Sequence, residues 1–379
     1  MNPNIVFHGK MPDPFLKEDG TRMTPEEWAA NKNAIRDKIV DIEYGGMPPR
    51  PEYLRVEQLS GLRRDKYSTW FKIYAGTKEK QLSFTLELYV PHVPGISPTY
   101  MRGPAIEGEK YPVLLTGDAC YCNLESDTVK EARKHGMIVA IFNRLELAND
   151  IHFNRDGGLH DIYEGDYSDM SAWAWGYMTC MDAFEQLSFV DETEVAITGH
   201  SRGGKTVLLA GAMDERIKYV CPNNSGCHGV ASYRCDMLAD EEKGLGRSEV
   251  LDDLLRGAPT WMGPQLYDYK GRVNELPYDM HYFGAMVAPR YYIQMEGMQD
   301  HWSNPVASWQ TLMAVKACYK HLGYDEDRAV AWFRPGGHRH ELPDFSELID
   351  HVARMQKGLP VSEHLLINPY PTVERNFDW

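Results

Sequence analysis

Short apolar runs at residues 113–116, 138–142, 195–198, 219–222, 291–295 and 330–333 constrain this chain more than any other feature. Each is four or five residues long, and helix-like segments lie between most of them. A strand with one wet face alternates apolar with polar residues, whereas a strand covered on both faces reads as a continuous run. Such runs interleaved with helices predict a mostly parallel sheet between two helical layers, a three-layer αβα sandwich. Residues 53–59, 70–74 and 82–90 alternate instead, and predict an antiparallel N-terminal edge. Residues 24–41 read as a helix: Thr24 can cap it, Pro25 suits the first turn, and Glu26 and Glu27 suit its positive end. Long helices are expected over 168–187, 308–322 and 344–357.

The 379 residues are 43% hydrophobic and 25% charged, enough for a large core. There is no Gly/Ser linker, repeat or low-complexity tract, so residues 1–379 are expected to form a single α/β catalytic domain. The net charge of −15 argues against nucleic acid or an anionic membrane as partner. No apolar run reaches membrane-spanning length. Met1 to Pro14 lacks a signal-peptide pattern, so the expectation is either a cytoplasmic protein or one secreted with its leader removed. The cysteines, Cys120, Cys122, Cys180, Cys221, Cys227, Cys235 and Cys318, follow no zinc or disulfide spacing. They are expected to be free thiols, with one bridge among Cys221, Cys227 and Cys235 left open. No metal or other cofactor is expected, for no phosphate-cradling or dinucleotide motif is present.

Chemistry concentrates at Gly199-His200-Ser201-Arg202-Gly203, between the run ending at Ile197 and a helix-like stretch over 206–213. A serine on a strand–turn–helix bend flanked by glycines is the nucleophile elbow of an α/β-hydrolase. A serine hydroxyl needs a base, and the base needs a carboxylate to orient it. In these folds they follow in the order serine, acid, histidine. His338, in Arg334-Pro335-Gly336-Gly337-His338, follows the last run and precedes the last helix, and is the expected base. His340 competes, although a solvent-exposed loop position suits it better. Asp300, just past the turn at Gly297, is the expected acid, with Glu296 at the strand end as alternative. Oxyanion donors, each worth about 3 kcal/mol, are expected from the Arg202 N–H and from the loop near Gly117 and Asp118. The Arg202 guanidinium either stabilises the developing charge or pairs with a neighbouring carboxylate.

These residues sit among motifs that resemble the glucuronoyl esterases, carbohydrate esterase family 15, particularly bacterial members. The resemblance rests on Met11-Pro12-Asp13-Pro14-Phe15, Trp173-Ala174-Trp175-Gly176, Gly199-His200-Ser201-Arg202-Gly203-Gly204-Lys205, and Gly211-Ala212-Met213-Asp214-Glu215-Arg216-Ile217. It continues through Leu276-Pro277-Tyr278-Asp279-Met280-His281, Ala288-Pro289-Arg290, Asp300-His301-Trp302 with Pro305, and Gly336-Gly337-His338. It implies a serine esterase acting on 4-O-methyl-glucuronate esters, such as those joining xylan to lignin alcohols, with a carbohydrate ester as partner. By resemblance Ser201 is the nucleophile, His338 the base, Arg202 an oxyanion stabiliser, Lys205 a donor to sugar hydroxyls, and Trp302 a cover for the uronate ring. Many members carry the acid as a glutamate where this chain has Asn224. An amide cannot neutralise an imidazolium, so either Asp300 supplies the charge, as the resemblance to some bacterial members implies, or the enzyme is crippled; the first is expected. The family's sugar-binding glutamine and glutamate are not assignable within 236–259. Two other readings stand beside uronate esterase: an acetyl or aryl esterase acting on carbohydrates, and a non-catalytic carbohydrate-binding relative.

Overall fold

The apolar runs align as the centre of one sheet. The computed structural model describes residues 4–59, 68–91, 108–121, 124–241 and 244–379. Among them the strands are β1 (Ile5–Phe7), β2 (Tyr53–Leu59), β3 (Ser68–Gly76), β4 (Gln81–Tyr89), β5 (Tyr111–Thr116), β6 (Ile138–Phe142), β7 (Val190–His200), β8 (Tyr219–Asn223), β9 (Cys235–Met237), β10 (Tyr291–Gly297) and β11 (Ala329–Arg334). Nine form a sheet in the order β11-β10-β8-β7-β5-β6-β4-β3-β2, and β1 pairs with β9. Neighbours from β6 to β11 are parallel. The β4, β3 and β2 strands join antiparallel, forming the expected edge.

The helices are α1 (Pro25–Tyr44), α2 (Ser126–Lys134), α3 (Asp169–Phe184), α4 (Arg202–Met213), α5 (Leu251–Gly257), α6 (His281–Val287), α7 (Pro305–His321) and α8 (Leu342–Gln356). Successive residues of each central strand face opposite layers. Leu114, Val139, Ala196, Ile293 and Val330 pack with Val129 of α2 and with Phe345, Leu348 and Val352 of α8. Val113, Leu115, Val195, Ile197 and Val220 pack against the layer built from α1, α3, α4, α6 and part of α7. Each such fully buried side chain contributes about 1.5–3 kcal/mol, which is why both strand faces are apolar. The β7 strand begins five residues before its apolar run: Val190, itself buried, pairs with Tyr111, and only the polar stretch 191–194 between Val190 and the run is partly uncovered.

Helix α1 starts as its sequence predicts. The Thr24 hydroxyl accepts from the Glu27 N–H at 3.2 Å, and the Glu27 carboxylate accepts from the Thr24 N–H at 2.8 Å. Thr24→Ala should therefore lower unfolding free energy by about 1 kcal/mol, seen as a lower urea midpoint with unchanged slope.

Cys120, Cys180, Cys221, Cys227, Cys235 and Cys318 are free thiols, so the bridge left open among Cys221, Cys227 and Cys235 is not formed. Cys122 lies outside the described residues. Among the described residues, no helix is long and apolar enough to cross a membrane.

Candidate active site

The β7 strand ends at His200 and α4 begins at Arg202, leaving Ser201 alone on the bend with φ 56° and ψ −120°. A non-glycine residue in that region costs of order 1–3 kcal/mol and is held only by its surroundings. Here the Ser201 N–H donates to the Asn223 carbonyl at 2.9 Å. The His200 N–H donates to Asp118 Oδ2 at 2.6 Å, and the other Asp118 oxygen pairs with buried Arg144. The flanking glycines are required by close approach. A Cβ on Gly199 would stand 2.6 Å from the Gly203 carbonyl oxygen, and one on Gly203 would stand 2.2 Å from Asp118 Oδ1.

Ser201 opens into a cleft of about 500 Å³ that Arg202, His200, His338 and Tyr121 also line. His338 comes from the loop after β11. Its Nδ1 lies 2.6 Å from Asp300 Oδ2 and 3.1 Å from Ser303 Oγ. With Nδ1–H given to the carboxylate, the Nε2 lone pair is on the opposite edge of the ring. Asp300 stands on the turn after β10, where its N–H donates to the Gly297 carbonyl at 3.0 Å. Burial pushes the Asp300 carboxyl up. The His338 contact and hydrogen bonds from Ser303 and Asn224 outweigh that and hold it below the usual range.

Of the two carboxylates expected near the ring, only Asp300 contacts it. Glu296 is fully buried within β10, and neither of its oxygens hydrogen-bonds His338. Burial first, and then the charge of Asp300, push the Glu296 carboxyl well above its ordinary value. His340 also departs from expectation: it is buried, not solvent-exposed, and its ring stacks on Phe345 at 4.0 Å. Burial drives it well below the usual imidazole range, so it stays neutral. His200 lies with its ring 4.4 Å from that of His338 and its Nδ1 2.7 Å from Asn223 Oδ1. Burial, then repulsion from His338, lowers it to about 4.

The donors expected near Gly117 and Asp118 are already engaged. The Gly117 N–H donates to the Tyr177 hydroxyl at 2.7 Å, and the Asp118 N–H to Thr116 Oγ1 at 3.3 Å. The N–H groups of the first turn of α4 have no acceptor within the helix. The Arg202 guanidinium pairs with Asp150 and lies 5.0 Å from the centre of the Trp261 ring, which is the paired arrangement the sequence left open. It still lines the cleft, and its buried Nε–H has no acceptor.

Lys205, one turn into α4, is buried. Its ammonium donates to the Ser225 carbonyl at 2.7 Å and the Cys227 carbonyl, and lies 3.4 Å from Glu249 Oε2. All three donors are thus taken within the protein. Trp302 is 49% exposed, and its carbonyl accepts from the Glu249 N–H at 2.9 Å. Glu249 was not assignable from sequence, because nothing in 236–259 marks which carboxylate folds back onto Lys205. Asp118, Asp150 and Arg144 were missed as supports of the elbow for the same reason: Asp118 and Asp150 act across 82 and 52 positions, and Arg144 reaches Asp118 across 26. Among the described residues, no group of three or more His, Cys, Asp or Glu side chains is placed to hold a metal ion.

Comparison with known proteins bears on the family and the fold. The family profile described as "Glucuronyl esterase, fungi" matches residues 78–323. A 4-O-methyl-glucuronoyl methylesterase of Schizophyllum commune is 28% identical over 336 residues, covering 87% of this chain and 77% of that protein. A carbohydrate esterase family 15 glucuronoyl esterase from Caldicellulosiruptor kristjansonii superposes with a TM-score of 0.81 at 25% identity, covering 97% of this chain and 96% of that one. A variant glucuronoyl esterase of Sporotrichum thermophile, solved with methyl 4-O-methyl-β-D-glucopyranuronate, gives a TM-score of 0.72 at 21% identity over 96% of this chain and 92% of that one. The last likeness speaks to the fold alone, which is that of the α/β-hydrolases.

Proposed function

Because this chain belongs to the glucuronoyl esterase family, carbohydrate esterase family 15, we propose that it cleaves 4-O-methyl-glucuronate esters through an acyl-enzyme on Ser201. It is a carboxylic ester hydrolase; the finer reading is ours. The observation that carries it is the 2.6 Å contact between His338 Nδ1 and Asp300 in the cleft that Ser201 enters.

In this reading neutral His338 takes the Ser201 proton as Oγ attacks the ester carbonyl. The oxyanion is held by N–H groups at the start of α4 and by the Arg202 guanidinium, a permanent charge that lines the cleft. The imidazolium faces Asp300 on one side and the neutral His200 ring on the other, so Asp300 stabilises it and His200 adds no like charge. His338 then protonates the departing alcohol. Water, deprotonated by the same ring, releases the uronate and restores Ser201.

Lys205, Glu249 and Trp302 form the sugar side of the site. Glu249 accepts hydroxyl protons, Trp302 covers a ring face, and Lys205 turns a donor to the sugar by giving up one internal partner. The natural targets in this reading are ester links between glucuronoxylan and lignin alcohols in plant cell walls, and the catalytic unit is a single domain over 1–379.

The test sets methyl or benzyl glucuronate beside an acetylated sugar. Faster release of alcohol from the uronate ester is expected. Faster acetate release would replace this reading with an acetyl esterase, a possibility the internally satisfied Lys205 ammonium favours. No turnover of either ester, with Ser201 inert to a serine-directed phosphonate and sugar binding retained, would mark a non-catalytic relative.

A further inference from the structure

One buried guanidinium holds the loop that carries His338. Arg334, the last residue of β11, is buried, and its donors reach separate elements. Nε donates to Asp344 in the first turn of α8. Nη1 donates to the Gly337 carbonyl at 3.3 Å, and Nη2 to the Arg339 carbonyl at 2.5 Å, so the carbonyls of the residues before and after His338 share one anchor. Nη2 also donates to Asn224 Oδ1 at 3.3 Å. The other end of that amide, Nδ2, donates to Asp300 Oδ2 at 2.7 Å, the oxygen that also takes His338 Nδ1.

The amide at 224 is thereby given a reason. It must accept from a cation on one side and donate to a carboxylate on the other, and an amide does both. Turning it over would set two donors face to face and an oxygen against a carboxylate. Its backbone is fixed too, at φ 42° with the N–H on the Met295 carbonyl at 2.8 Å. Asp344 balances the buried charge. Its Oδ1 accepts from Arg334 and from Asn223 Nδ2, and its Oδ2 from the Glu341 N–H at 2.9 Å.

We propose that Arg334 is a positioning residue for ester hydrolysis: it fixes the backbone on both sides of His338 and, through Asn224, the orientation of Asp300, so that ring and carboxylate are set as one unit. The proposal rests on the reading of His338 as the base. Arg334 touches neither substrate nor reacting atoms, so its loss acts on kcat through misalignment, where about 1 Å of displacement costs roughly 10²-fold.

Arg334→Lys is the discriminating variant, because an ammonium keeps the charge but cannot serve several acceptors in one plane. On methyl glucuronate below the melting temperature, kcat should fall about 10²-fold with KM unchanged. Asn224→Ala, which leaves the anchor on Gly337 and Arg339 intact, should lower kcat in the same direction, again without a change in KM. A kcat near parental in folded Arg334→Lys, or a rise in KM at constant kcat, overturns the proposal. Should Arg334→Lys not fold, Asn224→Ala decides alone, and parental kcat there overturns it. Ser201→Ala is assayed in parallel: retained activity in that variant would sink the underlying reading, whatever Arg334 does.

Discussion

Replacing Ser201 with alanine is expected to reduce kcat on a glucuronate ester by on the order of 10⁶-fold. The reaction as read here has no acyl-enzyme without the Ser201 hydroxyl, so what remains is catalysis by bound water, aided by the oxyanion donors. The fold should survive. The bend at φ 56° is set by Asn223, Asp118 and the glycine contacts, none of which involves the hydroxyl. Released alcohol under single-turnover conditions measures the effect, with a thermal melt as control. A variant that melts like its parent and turns over near the parental rate would end the assignment of Ser201.

The second large effect is Asp300→Asn, for which roughly 10⁴-fold loss in kcat is expected. Asn can hold the ring but cannot stabilise the imidazolium, and its amide can present a donor where the ring also donates. The charge is present across the working range because contacts from His338, Ser303 and Asn224 overcome burial and keep this carboxyl below the ordinary range. The sign for stability follows. An unfolded aspartate titrates at about 3.9, so the contribution from Asp300 is complete above that pH and is lost as pH falls through the lower folded value. The asparagine variant should therefore lose less stability than its parent when acidified below about pH 4. Parental kcat in Asp300→Asn, combined with loss in Glu296→Gln, would move the acid to the strand end instead.

The parts legible in the sequence are those whose cause is local. Runs such as 138–142 reproduce β6 to the residue because both faces of that strand are covered by helices. Ser201 is visible because a tight bend requires glycine at 199 and 203, and His338 and Asp300 because their loops follow buried strands. Paired choices were less legible. Glu296 and Asp300 are four positions apart, and what separates them is which side of the Gly297 turn they occupy. Lys205 illustrates the other limit. A lysine four residues after the serine announces a cation, but not that Ser225, Cys227 and Glu249 already engage it. The paired state of Arg202 and the anchor at Arg334 depend on partners brought together by the tertiary fold, and no spacing along the chain records them.

The absence of side chains at 199 and 203 has a consequence for how this catalyst could be altered. A single methyl at 203 would collide with Asp118, which is itself committed to Arg144 and to the His200 amide. Repair would require several coordinated replacements. Natural drift and laboratory selection should therefore leave this corner untouched. New acyl or alcohol preferences are then expected to arise at the rim, where exposed cleft-lining residues such as Glu125 and Arg339 can change one at a time without disturbing the bend.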